Sequence, residues 1–265
     1  MGQAVYPAGA NRITGETLAL SSTLASLGAP PHAYQVILYN PAVDFRLNLN
    51  PLVVAVVYYD ASSAAGSRFE LASGSSSATN GTLVDDLTDR DTATGTGTAM
   101  DAGTTSDFLY VCTKDIIGGL RAVIGAVNGN AATLTVKYRK SDDTWADISA
   151  TDGTASGGAT LAVTGSITWT VPTDWKRTTL RAAVSEADSP AIEGYWLQLS
   201  WSAALDSDTE IDELWTLNKA TDRGYFRAGQ EYELSLDRRN VGAIEAVLAA
   251  GTDTLEITWI RAAGV

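Results

Sequence analysis

The chain has 265 residues, of which 31 are acidic and 18 basic, so its formal net charge at pH 7 is −13. A negative field of this size repels phosphate backbones and anionic lipid headgroups, and we therefore expect no nucleic-acid partner and no membrane partner. A single cysteine, Cys112, excludes an internal disulfide and a cysteine-based zinc site, and a single histidine, His32, excludes a metal site of paired histidines.

Strand patterns dominate the first sixty residues. Residues 34–39 combine β-branched and aromatic side chains, and residues 43–49 alternate apolar and polar side chains with the period of two that marks a half-buried strand. Residues 53–59 are apolar on both faces, which is typical of a strand covered on both sides or one in a subunit contact. Residues 17–27 leave a helix and an extended chain open.

Neither a leader nor a membrane span is expected. Residues 1–15 contain no apolar run of the kind that a signal peptide needs. The longest apolar run, residues 52–59, is far shorter than the roughly 20 residues of a membrane-spanning helix. We therefore expect a soluble protein that is made in the cytoplasm.

The middle of the chain has the most regular pattern. Residues 60–106 are rich in Ser, Thr and Gly and predict loops and short edge strands. Beyond them, turn residues separate seven predicted strands: 108–111, 120–124, 132–138, 145–148, 167–171, 195–201 and 210–217. Short strands at this spacing indicate an antiparallel β-sandwich or jelly roll.

The two outer portions are expected to belong together. Residues 231–236 and 254–260 predict strands, whereas residues 241–250 have helical spacing followed by a glycine and predict one short helix. Each outer portion has too few strands for a stable sheet of its own. The sequence therefore predicts an all-β protein in which a sandwich module, residues 66–220, is inserted in or followed by a small β-rich domain made of residues 1–65 together with 221–265.

No pattern of catalytic residues emerges. His32 lies in a proline-bound turn, and the chain has no G-x-S-x-G sequence that would present a nucleophilic serine. Carboxylate pairs suited to glycoside cleavage are numerous among 31 acidic residues, but none has a recognisable frame. We expect no catalytic residue, no cofactor and no resident metal ion, and hence a protein that is not an enzyme.

Two acidic clusters are nevertheless candidates for calcium, because that ion takes carboxylate oxygens from loops. One cluster is Asp85, Asp86, Asp89 and Asp91, and the other is Asp206, Asp208, Glu210 and Asp212. Neither has the EF-hand pattern, and solvated acidic loops are the alternative interpretation. The Gly95-x-Gly97 sequence is too short a pattern to predict a phosphate site.

Tryptophan and arginine suggest contact surfaces. Trp145 and Trp175 lie next to turns and are candidates for exposed rings that stack on sugars. The other five tryptophans are expected in the core or in contacts: Trp169, Trp196, Trp201, Trp215 and Trp259. The last part of the chain gathers several arginines, either for docking on a partner protein or as a solvated face: Arg223, Arg227, Arg238, Arg239 and Arg261.

Residues 107–218 resemble a β-sandwich module of tailed-bacteriophage virion proteins, of the capsid-decoration and tail-associated kinds. The resemblance rests on a TLTV-x-Y strand, a D-G-T turn, a G-x-I-x-W-x-x-P-x-x-W segment and a following Y-W pair, which here are residues 133–138, 152–154, 165–175 and 195–196. Residues 87–92 (LTDRDT) are similar to the entry of galactose-binding-like jelly rolls. These are structural residues, so the resemblance implies a fold and a setting and transfers no catalytic residue.

The resemblance implies a non-enzymatic virion structural protein. We expect a capsid decoration or cement protein on the capsid exterior that binds the major capsid protein, self-associates as a homo-oligomer and stabilises the shell. The alternatives are a tail, baseplate or fibre component that binds a tail protein, or a carbohydrate-binding module for host attachment.

Overall fold

The computed structural model describes residues 12–21, 25–29, 33–39, 42–51, 53–71, 83–92, 97–100, 103–217, 224–235, 241–248 and 251–261. Within them the secondary structure is almost entirely antiparallel β-sheet, so the all-β prediction is confirmed. The chain divides into two units, one made of residues 1–50 and 220–265 and the other of residues 51–219. In the described part, no helix is both long and apolar enough to cross a membrane.

The terminal unit is a sandwich of two four-stranded sheets to which both ends of the chain contribute. Its strands are β1 (Arg12–Ser21), β2 (Ala25–Gly28), β3 (Ala33–Tyr39), β4 (Phe45–Pro51), β17 (Gly224–Phe226), β18 (Tyr232–Ser235), β19 (Val241–Leu248) and β20 (Thr252–Arg261). The sheet orders are β1-β20-β3-β18 and β17-β4-β19-β2. With these eight strands counted in chain order, the two sheets run 1-8-3-6 and 5-4-7-2, which is the strand order of a jelly roll.

Apolar alternation places the core of this unit between its two sheets. In β20, Leu255, Ile257 and Trp259 are buried at every second position. Trp259 is fully buried, and its indole Nε1 donates a 2.7 Å hydrogen bond to Oε2 of Glu16 on the paired strand β1. Because β20 lies between β1 and β3, the core depends on strands from opposite ends of the sequence.

The helix predicted for residues 241–250 is wrong, since residues 241–248 form strand β19. Ile244, Ala246 and Leu248 are all buried in the core of the terminal unit, and their spacing is that of a strand. Val247, which gave the pattern its helical spacing, is only half-buried. Gly251 has a φ of +83°, so it forms the turn that leads into β20 instead of a helix cap.

The inserted unit is a second antiparallel sandwich. The strands of its larger sheet are β5 (Val53–Tyr59), β6 (Phe69–Glu70), β8 (Phe108–Thr113), β10 (Leu134–Arg139), β11 (Trp145–Asp147), β14 (Arg177–Thr179) and β15 (Glu193–Trp201). Those of its smaller sheet are β7 (Thr98–Ala99), β9 (Gly119–Ala126), β12 (Thr151–Asp152), β13 (Gly165–Thr168) and β16 (Glu210–Leu217). The larger sheet has the order β11-β10-β15-β8-β5-β6, with β14 also pairing with β15, and the smaller sheet has the order β12-β13-β9-β16-β7.

Two short helices of the described part lie in this unit, α1 (Leu83–Asp86) and α2 (Leu180–Val184). The main core fills the space between the two sheets, and Leu120, Val136 and Ile167 are fully buried in it. A second cluster lies on the other face of the larger sheet, where Leu180 of α2 packs with Trp196. The larger sheet is therefore covered on both faces, which explains the uniformly apolar sequence of β5 and β8.

The boundary between the units differs from the one expected from the sequence. Strand β5 was expected to belong with the terminal portion, residues 1–65. It pairs instead with β8 along most of its length, from Val53↔Thr113 to Tyr59↔Phe108, and lies between β8 and β6. The first boundary is therefore near residue 51 and not near residue 66.

We expect residues 51–219 to fold when produced alone, because every strand pairing of β5 to β16 is made within that range. A chain of this length buries about 70% of the surface that its unfolded form exposes. Circular dichroism during thermal unfolding should show one cooperative transition. The matched control is residues 66–219, which lacks β5 and should not give a cooperative transition; equal behaviour of the two fragments would contradict the boundary.

Candidate functional site

The pairing of β9 with β16 in the inserted unit has two register shifts. Ala126 pairs with Glu210 and Ile124 with Ile211, so Gly125 has no partner residue in the register. Val123 then pairs with Glu213, so Asp212 has none either. Each extra residue forms a β-bulge, a device that turns a side chain away from the direction that regular pairing would give it.

The carboxylate of Asp212 occupies space that two glycines leave free. A Cβ atom on Gly125 would collide with the Asp212 carboxylate, and one on Gly97 would lie 2.8 Å from Oδ1 of Asp212. The Asp212 side chain is only 3% exposed, and its Oδ1 has no hydrogen-bond partner. The site is thus shaped to accept a buried carboxylate, although burial of an ionised carboxylate without partners costs several kcal/mol or more.

A second acidic segment lies against this part of β16. In residues 83–92, Leu83 and Leu87 are buried in the main core, and the Leu87 carbonyl accepts a 2.8 Å hydrogen bond from the Leu214 N–H of β16. The docking brings Asp89 and Asp91 close enough to Asp212 for their charges to act on it. We call Asp89, Asp91, Glu210, Asp212 and Glu213 the acidic site.

Two members of the acidic site, Asp212 and Glu213, have raised pKa values. Burial, followed by the charges of Glu210, Asp91 and Asp89, raises the pKa of Asp212 to about 6. Burial also raises the pKa of Glu213 to about 8, with a contribution from Asp89 in the same direction. The Trp215 indole, which donates a 3.0 Å hydrogen bond to Oε2 of Glu213, and Arg90 lower that pKa in part. Both groups therefore take up or release protons near neutral pH.

Glu210 is hydrogen-bonded to the segment that precedes β7. Its Oε1 accepts a 2.7 Å hydrogen bond from the backbone N–H of Gly97, and the side chain is 8% exposed. This contact fastens the chain before β7 to the start of β16. Met100 adds to the attachment, since its N–H donates to the Thr209 carbonyl at 2.9 Å.

The structure therefore brings together parts of the two acidic clusters that the sequence offered as calcium candidates. Asp89 and Asp91 come from the first, and Glu210 and Asp212 from the second. Of the remaining members, Asp206 and Asp208 lie in the turn before β16, and Asp86 is buried at the end of α1. The Asp85 side chain lies outside the described residues. Over the ranges that the structure describes, no three histidine, cysteine or acidic side chains are grouped as a metal site.

The sequence patterns did not identify Glu213, Gly97 or Gly125 as members of a site. The sequence of β16, EIDELWTL, contains one signal for this site. Three acidic residues occur within four positions of a strand that is otherwise mostly apolar. All four residues from Glu210 to Glu213 are buried, which an alternating strand exposed on one face cannot achieve.

The expectation that Trp175 presents an exposed ring is wrong. Its side chain is 6% exposed and packs in the main core edge-on to Trp169, Tyr138 and Tyr195. The placement follows from its chain position, since Trp175 forms a bridge with Lys140 at the end of the larger sheet and points into the sandwich.

Trp145 is half-buried and fixed by its neighbours. Its Nε1 donates a 3.3 Å hydrogen bond to the Ala183 carbonyl of α2. The ring lies 5.8 Å from that of Tyr110, and the Arg139 guanidinium carbon lies 5.8 Å from its centre. Four of the other five tryptophans are buried: Trp169, Trp196, Trp201 and Trp259. The fifth, Trp215, is half-buried and contacts Glu213.

The D-G-T turn is a structural polar network. Oδ1 of Asp152 accepts hydrogen bonds from the backbone N–H and the hydroxyl of Thr154, at 2.8 and 2.6 Å, and Oδ2 accepts one from the Thr160 hydroxyl at 2.6 Å. Both threonines are fully buried. The carboxylate is therefore occupied in holding the loop that follows β12.

Several residues singled out in the sequence lie outside the described residues: His32, Gly95, Arg223, Arg238, Arg239 and the side chain of Arg261. Arg227 is described and exposed, and its backbone N–H donates to the hydroxyl of Tyr232 at 2.7 Å.

Comparisons with known proteins leave the resemblance to phage modules a prediction. A scan against models of protein families gave no match to this chain. A search of curated proteins gave no significant match.

We expect Gly125→Ala to destabilise the protein, because the new methyl group would take the space of the Asp212 carboxylate. The free energy of unfolding from urea titration should fall by about 1–3 kcal/mol, the usual cost of overpacking. Gly15→Ala in β1 is the matched control, since a Cβ there meets nothing within 4 Å. Asp212→Ala combined with Gly125→Ala should recover part of the loss, and strictly additive effects would contradict the steric explanation.

Asp152→Ala should destabilise the inserted unit by about 1–3 kcal/mol, because it leaves buried Thr154 and Thr160 hydroxyls without their acceptor. Asp147→Ala is the control, since that carboxylate accepts one exposed turn hydrogen bond, from the Ser149 N–H. Denaturant unfolding of both variants tests this. Equal losses would show that Asp152 serves as an ordinary turn residue.

Proposed function

We propose that this chain is a non-enzymatic structural protein of a tailed-phage particle, acting as a decoration or cement protein on the outer capsid surface. The observation that carries the proposal is the jelly-roll strand order of the terminal unit, completed by strands from both chain ends. Double-sheet jelly rolls build many viral capsid domains, and they also occur in lectins and cupins.

The use of polar side chains supports a packing role. The carboxylate of Asp152 and the side-chain amide of Asn128 form their hydrogen bonds with loops of the inserted unit. The largest aromatic side chains, such as Trp196 and Trp259, are fully buried. The net charge of −13 suits a protein displayed on the outside of a shell better than one in contact with packaged DNA.

The proposed mechanism is mass action. A protein that binds the assembled shell and not the separate subunits stabilises assembly by RT ln(1 + [L]/Kd), which is about 2.7 kcal/mol at a hundredfold excess over Kd. We propose that the major capsid protein is the partner and that the chain docks as a symmetric homo-oligomer, because closed symmetry matches the repeated surface of a shell.

The proposal predicts that particles lacking this chain release their genome at a lower temperature than complete particles, and that adding the purified full chain restores resistance. Dye-detected genome release during heating measures the effect. The fragment of residues 51–219 is the matched control, and it should not restore resistance if the jelly-roll unit makes the contact.

Imaging of the complete particle separates the alternatives. Density for the chain on the tail, baseplate or fibre would replace the capsid proposal by the tail proposal. Unchanged heat resistance together with no bound chain would contradict both.

A carbohydrate-binding role has weaker support. Of the two rings that it requires, Trp175 is in the core and Trp145 is held by the Ala183 carbonyl. Binding to a host glycan that Trp145→Ala abolishes, without loss of thermal stability, would favour this role over docking.

A further inference from the structure

Gly15 lies in the interior of β1 although its backbone does not require glycine. A glycine weakens a strand, and it usually marks a bulge, a tight bend or a place where another molecule comes close to the backbone. The register of β1 with β20 runs unbroken through the pair Gly15↔Thr258, so this glycine marks neither a bulge nor a break in the strand. Its φ also lies outside the left-handed range that favours glycine. Of these explanations, the close approach of another molecule remains.

The space above Gly15 is open. A Cβ atom on this residue would meet nothing within 4 Å. The open space is part of a depression of about 560 Å³ on the terminal unit, which we call the Gly15 site. This volume lies within the range of small-molecule sites, roughly 300–1,000 Å³.

The Gly15 site lies on the face of its sheet that points away from the core. Successive residues of a strand face opposite sides, and Ile257 is buried in the core. Glu16, which pairs with Ile257, belongs to the same core-facing set, so these two residues contribute their backbone to the site. The lining residues of the outer face are Gly15 and Thr17 of β1, Glu256 and Thr258 of β20, and Tyr39 of β3.

The side chains around Gly15 suit a neutral ligand that carries hydroxyl groups. Thr17 and Glu256 are exposed, and Thr258 and Tyr39 are half-buried. The carboxylate accepts hydrogen bonds, the threonine hydroxyls both donate and accept them, and the tyrosine ring supplies an apolar surface with a polar end. None of the residues that line the site, all of which the structure describes, has a basic side chain. The charge of Glu256 therefore disfavours an anionic ligand.

We propose that the Gly15 site binds a neutral sugar. The sugar ring lies over Gly15 and packs its C–H groups against Tyr39, and its hydroxyl groups form hydrogen bonds with Glu256, Thr17 and Thr258. The site belongs to the terminal unit, so it is separate from Trp145 of the inserted unit, and it does not rest on the proposed virion role. Because the depression is open, much of the bound sugar stays in water, and we expect a dissociation constant on the order of 1 mM.

The test is a titration of the isotope-labelled full chain with the methyl glycosides of glucose, galactose, mannose and N-acetylglucosamine, followed by the chemical shifts of backbone amides in NMR spectra. At about 100 mM, roughly a hundredfold excess over the expected dissociation constant, at least one glycoside should shift the amides of residues 15–17 and 256–258 along a saturable curve. The Ile148 amide of the inserted unit is the internal reference and should not shift. No saturable shift with any of the four glycosides would contradict the proposal.

Variants of the site test its location. Gly15→Leu fills the open space and should raise the dissociation constant at least about tenfold. Ala19→Leu is the matched control, because Ala19 is exposed on the same face of the same strand but does not line the site. Glu256→Gln removes the charge, keeps the shape and should weaken binding at least about threefold, which covers a failure of Gly15→Leu to fold. Circular dichroism during thermal unfolding checks the fold of each variant.

Three further results would overturn the proposal. Unchanged sugar binding by a folded Gly15→Leu variant would place the sugar elsewhere. Saturable shifts of the same amides with tetramethylammonium, and with none of the glycosides, would make a cation held by Tyr39 and Glu256 the ligand. Concentration-dependent sedimentation that Gly15→Leu abolishes, again without sugar binding, would make the site a contact between copies of this chain.

Discussion

The pairing of β1 with β20 is the constraint on which the terminal unit depends. Its register runs from Arg12↔Arg261 to Ser21↔Thr252, so the first described strand lies beside the last. Trp259 is buried only when β20 has β1 on one side and β3 on the other, and Glu16 of β1 accepts its indole hydrogen bond. The two ends must meet before this core exists, and contacts of such sequence separation are costly in chain entropy.

The inserted unit, in contrast, forms its core within one continuous range of the sequence. Its strands pair within residues 51–219, and its larger sheet is covered on one face by the smaller sheet and on the other by α2 and neighbouring aromatic side chains. Insertion between β4 and β17 adds little entropy cost to closing the terminal unit, since that cost grows only logarithmically with loop length. The inserted unit forms the connection between β4 and β17. Because the ends of this unit are held in its own sheets, the unit restricts the conformations of that connection further.

The acidic site buries carboxylates at a cost in stability. Asp152 and Asn128 show the more usual arrangement, because their buried polar atoms are hydrogen-bonded within the inserted unit. At β16 two bulges and two glycines make room for a carboxylate that has an unsatisfied oxygen. Apolar residues at Asp212 and Glu213 would pack at lower cost, so stability alone does not explain these carboxylates.

The fold class and most of the strands follow from local sequence patterns, because a strand with a period of two or a continuous apolar run reports which of its faces are buried. The sequence also indicated that the two outer portions of the chain form a domain separate from the central module. It did not give the role of β5, whose apolar faces suit either unit, and it favoured a helix at residues 241–250, where Ile244, Val247 and Leu248 fit helical spacing by coincidence. That β5 pairs with β8, that Trp175 points inward, and that Asp89 and Asp91 act on Asp212 became clear only from the three-dimensional structure. These features depend on strand register, on bulges and on partners that are distant in the sequence, and no local pattern encodes them.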